Sequence, residues 1–347
     1  MSEIDEQHML TALKLAQKGY GRTSPNPMVG AVLVKGRAII GKGWHRMAGG
    51  AHAEIAAIEE ARQNDYNIKG STLYVNLEPC CTTGRTPPCT QAIIESGIVR
   101  VVVGAIDPSP SHSGRAFRIF KKAGIEIRKG VLSDESSLLN AGFNHWITSR
   151  KPYVTLKSAM TLDGKIAAVN GESKWITGEA ARREGLRMRK GSDAILVGIE
   201  TVLADDPSLL ARGKRGGVPL RRIILDSRGR TPLTSKVVSD ERSAQTTVVV
   251  LRGAPSRKIV ALRKKVSVIE APESKGRIDL KWLMKRLGKE GVVNLLIEGG
   301  GEVNGAFLDN NLAHKIAFFY APKIVGGSDS YVAFAGVGVA TLGRARM

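Results

Sequence analysis

Cysteine, aromatic residues and long apolar runs are all scarce in this chain of 347 residues. Its three cysteines lie between positions 80 and 89, which leaves none elsewhere for a disulfide framework and favours a reducing compartment. No apolar stretch approaches the roughly 20 residues that cross a membrane. The first residues, Met1–Gln7, are too acidic and polar for a signal peptide. We therefore expect a cytoplasmic globular protein with no membrane segment.

Aromatic residues make up only 5% of the chain, although its formal net charge is +20. Residues 1–150 carry 18 basic and 13 acidic side chains, whereas residues 151–347 carry 34 and 19. The basic stretches 212–230 and 252–265 lack the interleaved aromatic side chains on which single-stranded nucleic acids stack. We expect a basic surface that attracts phosphorylated small molecules, and no nucleic-acid partner. An RNA-binding groove is the alternative.

The clustered cysteines follow a histidine and a glutamate at a spacing typical of zinc enzymes. His52, Cys80 and Cys89 are the residue types that hold catalytic zinc in nucleobase deaminases. They fill three tetrahedral positions and leave the fourth for a water molecule, which zinc activates. Glu54, two residues after the histidine, is suited to transferring protons. Cys81 is an alternative ligand to Cys80, and three buried structural thiols are the alternative to a metal site.

Helical and strand patterns alternate along the chain, which favours layered α/β domains. In the first half, the patterns predict helices at 8–18, 52–62, 89–96 and 114–123, and strands at 28–34, 38–44, 72–77, 99–105 and 125–130. His52 and Glu54 therefore belong to the first turn of a helix, and Cys80 follows a strand. The pattern restarts near Arg150-Lys151-Pro152, so we divide the chain into domains 1–147 and 148–347.

The second half predicts another α/β domain, with a glycine-rich turn before its last helix. Strands at 153–158, 194–198, 222–226, 246–251, 266–269, 292–297 and 315–321 accompany helices at 178–190, 256–265, 279–289 and 302–310. The run 298–302, Glu-Gly-Gly-Gly-Glu, joins a strand to a helix, a suitable context for binding phosphate through backbone N–H groups. Its glycines do not match the dinucleotide-binding fingerprint. A tight turn without a ligand and a cofactor loop are both compatible with this run.

Several longer motifs extend through both halves of the chain. In the first half they are Pro25-Asn26-Pro27, His52-Ala53-Glu54, Glu78-Pro79-Cys80 and Gly84–Cys89. In the second half they are Leu162–Ala167, Trp175-Ile176-Thr177, Thr201–Pro207 and Ala321-Pro322-Lys323. With these motifs, the chain from about residue 8 to about residue 327 resembles the bifunctional deaminase–reductase family of riboflavin biosynthesis. Gly84–Cys89 distinguishes that family from other zinc deaminases and accounts for the long spacing between the two cysteines.

The resemblance implies a cytidine-deaminase-like three-layer domain followed by a dihydrofolate-reductase-like domain, in a homo-oligomeric enzyme that uses Zn²⁺ and NADPH. It implies that His52, Cys80 and Cys89 bind zinc, that Glu54 is catalytic and that Asn26 contacts the substrate. The substrate-binding residues that it implies in the second domain are Lys157, Ser173, Arg189, Asp205, Leu209, Arg212 and Glu298. The NADPH-binding residues that it implies are Ala159, Trp175, Thr201, Ser227, Gly300, Gly301, Glu302, Val303, Asn304, Gly305 and Ala306.

The function that the resemblance implies has two steps. The first is zinc-dependent hydrolytic deamination of 2,5-diamino-6-(5-phosphoribosylamino)pyrimidin-4-one, and the second is NADPH reduction of the ribosyl side chain to ribityl. In the second step, Arg189 and Arg212 are expected to hold a phosphate, Asp205 to transfer protons and Glu298 to hold sugar hydroxyls. A deaminase with an inactive reductase domain and a nucleic-acid deaminase are the alternatives.

The chain departs from the family pattern in three places. Cys81-Thr82 stands where the family commonly has Ser-His, and Ser109 stands where it has Asn. The chain also ends sooner after Ala321-Pro322-Lys323 than the resemblance predicts. We therefore expect the reductase sheet to lack a terminal strand and to expose an edge.

Overall fold

The computed structural model describes residues 3–82, 87–211 and 219–345. The chain divides into two compact units, of which the first extends to Arg150 and the second begins at Lys151. None of the helices in these described ranges combines the length and the apolar character that crossing a bilayer requires.

The first unit is built on one mixed sheet. Its strands are β1 (Gly30–Lys35), β2 (Ala38–Trp44), β3 (Thr72–Leu77), β4 (Arg100–Ala105) and β5 (Glu126–Lys129). Its helices are α1 (Glu3–Gln17), α2 (Ala53–Gln63), α3 (Cys89–Glu95), α4 (Arg115–Lys122), α5 (Ser133–Leu139) and α6 (Ala141–Ser149). The strand order is β2-β1-β3-β4-β5, in which β1 runs antiparallel to both its neighbours while β3, β4 and β5 are parallel.

Strand alternation sends apolar side chains to both faces of this sheet, so the unit has three layers. One face packs against α2, α3 and α4, and the other against α1 and α5. Within β1, Leu33 belongs to the first cluster and Val32 to the second. Gly43 lets α2 approach β2 closely, because a Cβ at this position would overlap the carbonyl oxygen of Ala53. The helix that carries the predicted catalytic residues is thereby pressed onto the sheet.

The second unit is built on a parallel sheet. Its strands are β6 (Tyr153–Thr161), β7 (Lys165–Ala167), β8 (Ala194–Gly198), β9 (Arg221–Leu225), β10 (Thr246–Leu251), β11 (Ser267–Ala271), β12 (Glu273–Ser274), β13 (Arg277–Ile278), β14 (Asn294–Ile297), β15 (Lys315–Ala321) and β16 (Tyr331–Val332). Its helices are α7 (Glu179–Lys190), α8 (Ile199–Asp205), α9 (Lys236–Ser239), α10 (Ser256–Arg263), α11 (Leu280–Lys289) and α12 (Gly301–Asp309).

Seven of these strands form the central sheet in the order β11-β10-β9-β8-β14-β6-β15, and every neighbouring pair is parallel. One face packs against α11 and α12 and the other against α8, α9 and α10. From β6 the chain proceeds outward through β8 to β11 and then returns to place β14 between β8 and β6. In open parallel sheets, ligands bind beyond the carboxyl ends of the strands where the order reverses in this way.

The layered α/β prediction is confirmed for both units. The first helix begins at Glu3 rather than at residue 8, and α5 and α6 occupy a region to which the sequence patterns assigned no element. At the other end, β15 is an edge strand of the central sheet. On it Ile316, Phe318 and Tyr320 expose 38, 43 and 56% of their surfaces, so an apolar stripe faces outward along this edge.

Candidate functional site

Three side chains of the first unit converge at the ends of a strand and two helices. His52 is the N-cap residue of α2, Cys89 is the first residue of α3, and Cys80 lies three residues beyond the end of β3. The ligand atoms of these three residues all lie within 4.8 Å of one another. The Nδ1 atom of His52 is 3.2 Å from the Sγ of Cys89 and 3.5 Å from the Sγ of Cys80.

This donor set fits a zinc ion. With Zn–S and Zn–N bonds of about 2.3 and 2.0 Å, tetrahedral geometry separates a nitrogen and a sulfur ligand by about 3.5 Å. The two N–S separations are close to that value, and the donors are the imidazole and thiolates that zinc prefers. Cys81 is not part of this group, because its Sγ lies 3.4 Å from the Nδ1 of His112.

The electrostatics of the site keep one thiol ionised more readily than the other. A hydrogen bond from the Cys89 thiol is the largest effect lowering the pKa of Cys80, and the hydrogen bond with His52 adds to it. The resulting thiolate in turn raises the pKa of Cys89. The same hydrogen bond with Cys80 raises the pKa of His52. The contacts among these three residues therefore favour a negative sulfur beside a protonatable imidazole.

Glu54 lies in the first turn of α2, with only 3% of its surface exposed. Burial raises its pKa to about 7, and the nearby thiolate of Cys80 adds to the increase. A carboxyl group with a pKa in this range can both accept and release a proton at physiological pH.

His45 is a residue of this site that the sequence analysis did not single out. It follows β2 directly and is almost fully buried, and its ring meets that of His52 edge-on with centroids 5.6 Å apart. Its Nε2 lies 3.1 Å from the Nδ2 of Asn26, and its Nδ1 lies 3.0 Å from the carbonyl oxygen of Ala51. Burial lowers the pKa of His45, so a neutral ring is favoured. The structure thus connects Asn26 to the metal-ligand group through His45.

Glu78 fixes the backbone of residues 107–116, a stretch that includes His112, the residue in contact with Cys81. Its buried carboxylate accepts hydrogen bonds from the backbone N–H groups of Asp107, Gly114 and Ala116, at 3.2, 2.9 and 3.1 Å. Ser109, inside this stretch, donates its N–H to the Asp107 carboxylate. Of the motif Gly84–Cys89, the residues before Pro87 lie outside the described residues.

In the second unit, the predicted substrate residues form two groups. In the first group, Glu298 follows β14 and accepts two hydrogen bonds from Arg189 at the end of α7, from Nε at 2.8 Å and from Nη2 at 2.9 Å. The Nζ of Lys157, on β6, is 3.8 Å from the same carboxylate. Arg189 also donates to the carbonyl oxygen of Leu210. These ion pairs lower the pKa of Glu298 although its burial acts in the opposite direction.

The second group surrounds Asp205, the last residue of α8. Ser173 donates its hydroxyl to the Asp205 carboxylate at 3.1 Å, and Lys174 pairs with it at 3.3 Å. Leu209 follows in the next loop and is buried. Arg212 lies outside the described residues.

The predicted cofactor residues lie on several elements along the carboxyl edge of the sheet. Ala159 lies on β6, Thr201 in the first turn of α8 and Ser227 just beyond β9. Trp175 exposes 66% of its surface, and the guanidinium of Arg182 lies 4.8 Å from its ring centroid. These positions follow the edge at which parallel sheets bind nucleotides.

The glycine run after β14 has two different structural roles. Gly300 is the N-cap residue of α12, and a Cβ there would meet only Ile166, at 4.0 Å. The helix start is thus open enough for a phosphate to approach its free N–H groups, which fits NADPH.

The next two glycines of this region have a packing role. At Gly301 and Gly305, a Cβ would overlap the backbone of Val332 and Ala335. Asn304 is buried between them and donates to the carbonyl oxygen of Ala333. These three residues thus bind the tail of the chain.

Two family models match the chain, one in each of its two units. Residues 2–105 match the cytidine and deoxycytidylate deaminase zinc-binding region, and residues 152–346 match the RibD C-terminal domain. The fold and the donor set therefore define a zinc-dependent deaminase domain joined to a reductase domain. Among full-length relatives, riboflavin biosynthesis protein RibD of Actinobacillus pleuropneumoniae is 40% identical over 99% of this chain and 90% of its own length. The corresponding protein of Aquifex aeolicus is 42% identical over 93% and 88%.

Solved structures show the same relationship. The diaminohydroxyphosphoribosylaminopyrimidine deaminase/5-amino-6-(5-phosphoribosylamino)uracil reductase of Thermotoga maritima superposes with a TM-score of 0.86 at 39% identity, over 99% of this chain and 93% of that one. Acinetobacter baumannii RibD gives 0.85 at 36% identity, over 98% and 92%. The chain belongs to the RibD family of riboflavin biosynthesis proteins. It is a bifunctional deaminase and reductase that acts on a small-molecule substrate, with zinc and NADPH as cofactors.

Proposed function

We propose that this chain catalyses two consecutive steps of riboflavin biosynthesis on a phosphorylated pyrimidine. The first unit would deaminate 2,5-diamino-6-(5-phosphoribosylamino)pyrimidin-4-one, and the second would reduce the ribosyl side chain of the product to ribityl with NADPH. The observation that carries the proposal is the convergence of His52, Cys80 and Cys89 beside the buried carboxyl group of Glu54.

In the deaminase half, His52 Nδ1 and the sulfurs of Cys80 and Cys89 hold the zinc ion. Zinc bound there would supply the Lewis acidity that makes water a nucleophile at neutral pH. Glu54 accepts a proton from that water and delivers it to the ring nitrogen of the pyrimidine, and its raised pKa suits both transfers. Asn26 orients the substrate, and His45 holds the amide of Asn26 in place.

In the reductase half, NADPH supplies the hydride and the protein supplies orientation. Lys157, Arg189 and Glu298 form a charged group that we assign to the substrate site, in which Glu298 pairs with both cations. Asp205 is held by Ser173 and transfers protons as the sugar ring opens. The first-turn N–H groups of α12, beyond Gly300, would hold a phosphate of the cofactor.

We further propose a cytoplasmic location and a homo-oligomeric state, either dimer or tetramer. Ligand thiolates require reducing conditions, which the cytoplasm provides. The apolar stripe of Ile316, Phe318 and Tyr320 on the edge strand β15 supports association, since exposed sheet edges and apolar patches favour pairing with another chain. A small phosphorylated pyrimidine, not a nucleic acid, is the partner that we propose for the active sites.

The test is a single assay of the full chain, purified with zinc, on the pyrimidine ribotide. Ammonia release and NADPH oxidation are recorded in the same cuvette. We expect ammonia to appear first and NADPH oxidation to follow, with at most one NADPH consumed for each ammonia. Protein stripped of zinc should release no ammonia but should still oxidise NADPH when the deaminated compound is supplied. Ammonia release without NADPH oxidation would refute the second step. If the zinc-loaded protein oxidises NADPH with the deaminated compound but releases no ammonia from the ribotide, the first step is refuted.

A further inference from the structure

Lys323 reaches back to a segment 148 residues earlier in the chain. It lies two residues beyond the end of β15, at the carboxyl edge of the central sheet. Its Nζ donates a hydrogen bond to the carbonyl oxygen of Trp175 at 2.9 Å. A side chain thus joins two motifs that are far apart in the sequence, 175–177 and 321–323.

The 173–177 segment forms neither a helix nor a strand, so side chains hold it in place. At its start, Ser173 donates its hydroxyl to the Asp205 carboxylate at 3.1 Å. At its end, the carbonyl oxygen of Thr177 accepts a hydrogen bond from Arg182 of α7 at 3.0 Å. The bond from the lysine holds the middle of the segment between these two attachments.

Two of these attachments lie on opposite sides of the strands that carry the proposed reductase site. Asp205 ends α8, which follows β8, whereas Lys323 follows β15. In the sheet, β14 and β6 lie between β8 and β15. The segment therefore borders the edge at which Glu298 and Gly300 follow β14 and at which Ala159 lies on β6.

The backbone that carries Lys323 is itself fixed by the connection between β6 and β7. The N–H of Leu162 donates to the carbonyl oxygen of Lys323 at 2.9 Å. The Asp163 carboxylate accepts the N–H groups of Val325 and Gly326, at 3.2 and 2.7 Å. These bonds give the lysine a fixed base, which reduces the entropy lost when its long side chain makes a specific contact.

The same connection reaches the open start of α12. Ile166 of β7 is the neighbour that a Cβ at Gly300 would meet, at 4.0 Å. Trp175, whose carbonyl group is bonded to Lys323, exposes 66% of its surface. A continuous series of contacts therefore runs from the exposed indole through Lys323 and the 162–166 connection to the N-cap of α12.

We propose that Lys323 is a positioning residue of the reductase, which holds the Trp175 indole where it contacts NADPH. The ammonium group does not touch the cofactor in this proposal. It acts through a charge-assisted hydrogen bond to the carbonyl group of Trp175, a type of bond stronger than one between neutral groups. The inference rests on the proposed assignment of Trp175 and the α12 start to the NADPH site.

The experiment compares Lys323→Met and Lys323→Arg with the wild type on the full, zinc-loaded chain. The dissociation constant of NADPH is measured by cofactor fluorescence, and KM and kcat are measured with the deaminated compound. Methionine keeps the length of the side chain but cannot donate, so both the dissociation constant and KM for NADPH should rise about tenfold. Because a saturating concentration of NADPH offsets the weaker binding, kcat should stay within about threefold. Arginine can still donate to the carbonyl group, so it should restore NADPH binding to within about threefold.

A second measurement detects the position of the indole without any cofactor. The chain is labelled with 5-fluorotryptophan, and Trp175→Phe assigns the fluorine resonance of this residue. In Lys323→Met, the Trp175 resonance should narrow and move toward that of free 5-fluorotryptophan, because the indole is held less firmly. In Lys323→Arg it should stay at the wild-type position.

Lys285→Met is the matched control, because Lys285 is an exposed lysine of α11 that forms no ion pair or hydrogen bond in the described part of the chain. It should change none of these quantities. The proposal is overturned if Lys323→Met binds NADPH as the control does, or if arginine loses as much as methionine. A displaced Trp175 resonance with unchanged NADPH binding would overturn it too, because the indole would then lie away from the cofactor. A wild-type chain that does not bind NADPH would instead overturn the reductase assignment itself.

Discussion

Arg189 and Glu298 are 109 residues apart in the chain, yet they form a two-pronged ion pair with N–O distances of 2.8 and 2.9 Å. Both side chains are largely withdrawn from solvent, at 20 and 11% exposure. Both carboxylate oxygens of Glu298 are used by Arg189, so hydroxyl groups of a sugar must share them or interact with the arginine instead. The pair connects the end of α7 to the glycine turn after β14, and this connection fixes the geometry of the proposed substrate site.

Glu298→Gln should therefore damage the reductase step and spare the deaminase step. The substitution leaves Arg189 and Lys157 as buried charges without a carboxylate, and removing one partner of a buried pair costs about 3–5 kcal/mol. We expect kcat/KM for NADPH oxidation to fall by at least about a hundredfold, with ammonia release unchanged. Glu184→Gln is the control, because its ion pair with Arg187 is exposed. Equal reductase rates in the two variants would contradict the role assigned to Glu298.

Glu54→Gln should separate chemistry from metal binding in the first unit. The amide keeps the shape of the carboxyl group but cannot carry a proton, so kcat for ammonia release should fall by about 10²–10⁴-fold. Zinc content should stay that of the wild type, because Glu54 is not among the three metal-ligand residues. Glu59→Gln, an exposed position of the same helix, is the control. Loss of zinc from the Glu54 variant would make this residue a ligand or a support of the ligands.

Serine substitutions at the three cysteines should divide them into two classes. Cys80→Ser and Cys89→Ser remove thiolate ligands, so both should lose bound zinc and ammonia release. Cys81→Ser should retain zinc, because the Cys81 thiol contacts His112 and lies outside the metal-ligand group. Elemental analysis of the purified proteins measures the outcome. Zinc retained in Cys80→Ser but lost in Cys81→Ser would transfer the ligand role to Cys81.

The parts of this protein that were predictable from sequence are those defined by local pattern. His52 and Glu54 lie two residues apart at the start of one helix, and Cys80 lies three residues after a strand, so the local pattern already indicated that the candidate metal ligands lie near element ends. The same is true of the alternating helices and strands, whose apolar periodicity does not depend on distant residues.

What sequence did not reveal depends on contacts between distant segments. The pairing of Arg189 with Glu298 and the placement of His45 against His52 have no local pattern. The sequence left a tight turn and a cofactor loop open for the glycine run, and the packing of Gly301 and Gly305 against the tail is visible only in the structure. A glycine required for close packing and one required for ligand approach look identical in a sequence.

Asp5 should make the stability of the first unit depend on pH. Its buried carboxylate pairs with Arg100 at 2.9 Å and Arg128 at 3.0 Å, and it accepts a hydrogen bond from the Tyr74 hydroxyl. The hydrogen bond from Arg100 is the main cause that lowers the pKa of Asp5. Since the folded-state pKa lies below the unfolded value of about 3.9, the stabilisation is complete above that pH and is lost as pH falls through the folded pKa.

Asp5→Asn should lower the free energy of unfolding by about 2 kcal/mol at pH 7. The difference from the wild type should stay constant from pH 8 to pH 5 and shrink below about pH 4. Glu3→Gln removes an exposed charge from the same helix turn and should change stability little at any pH. Denaturant unfolding over this pH range, with hydrogen exchange in β3 and β4 to report on the first unit, measures both effects. A difference that persists unchanged at low pH would mean that the Asp5 variant acts through packing and not through charge.

Gly305→Ala should release the tail of the chain from α12. A Cβ at this position would overlap the carbonyl oxygen of Ala335, whose N–H bonds to Gly301 one turn earlier, so the helix and the tail cannot both keep their places. Alanine is favoured over glycine inside a helix by about 1 kcal/mol, but overlap in a packed site costs about 1–3 kcal/mol, and we expect the overlap to dominate.

Gly185→Ala in α7 is the control for this substitution. The nearest neighbour of its new Cβ would be a flexible lysine methylene 3.8 Å away, so it should stabilise the protein slightly. Hydrogen exchange over residues 331–337 should rise in the first variant and stay unchanged in the second. Protection retained in Gly305→Ala would show that the tail can dock on α12 without the space that this glycine leaves.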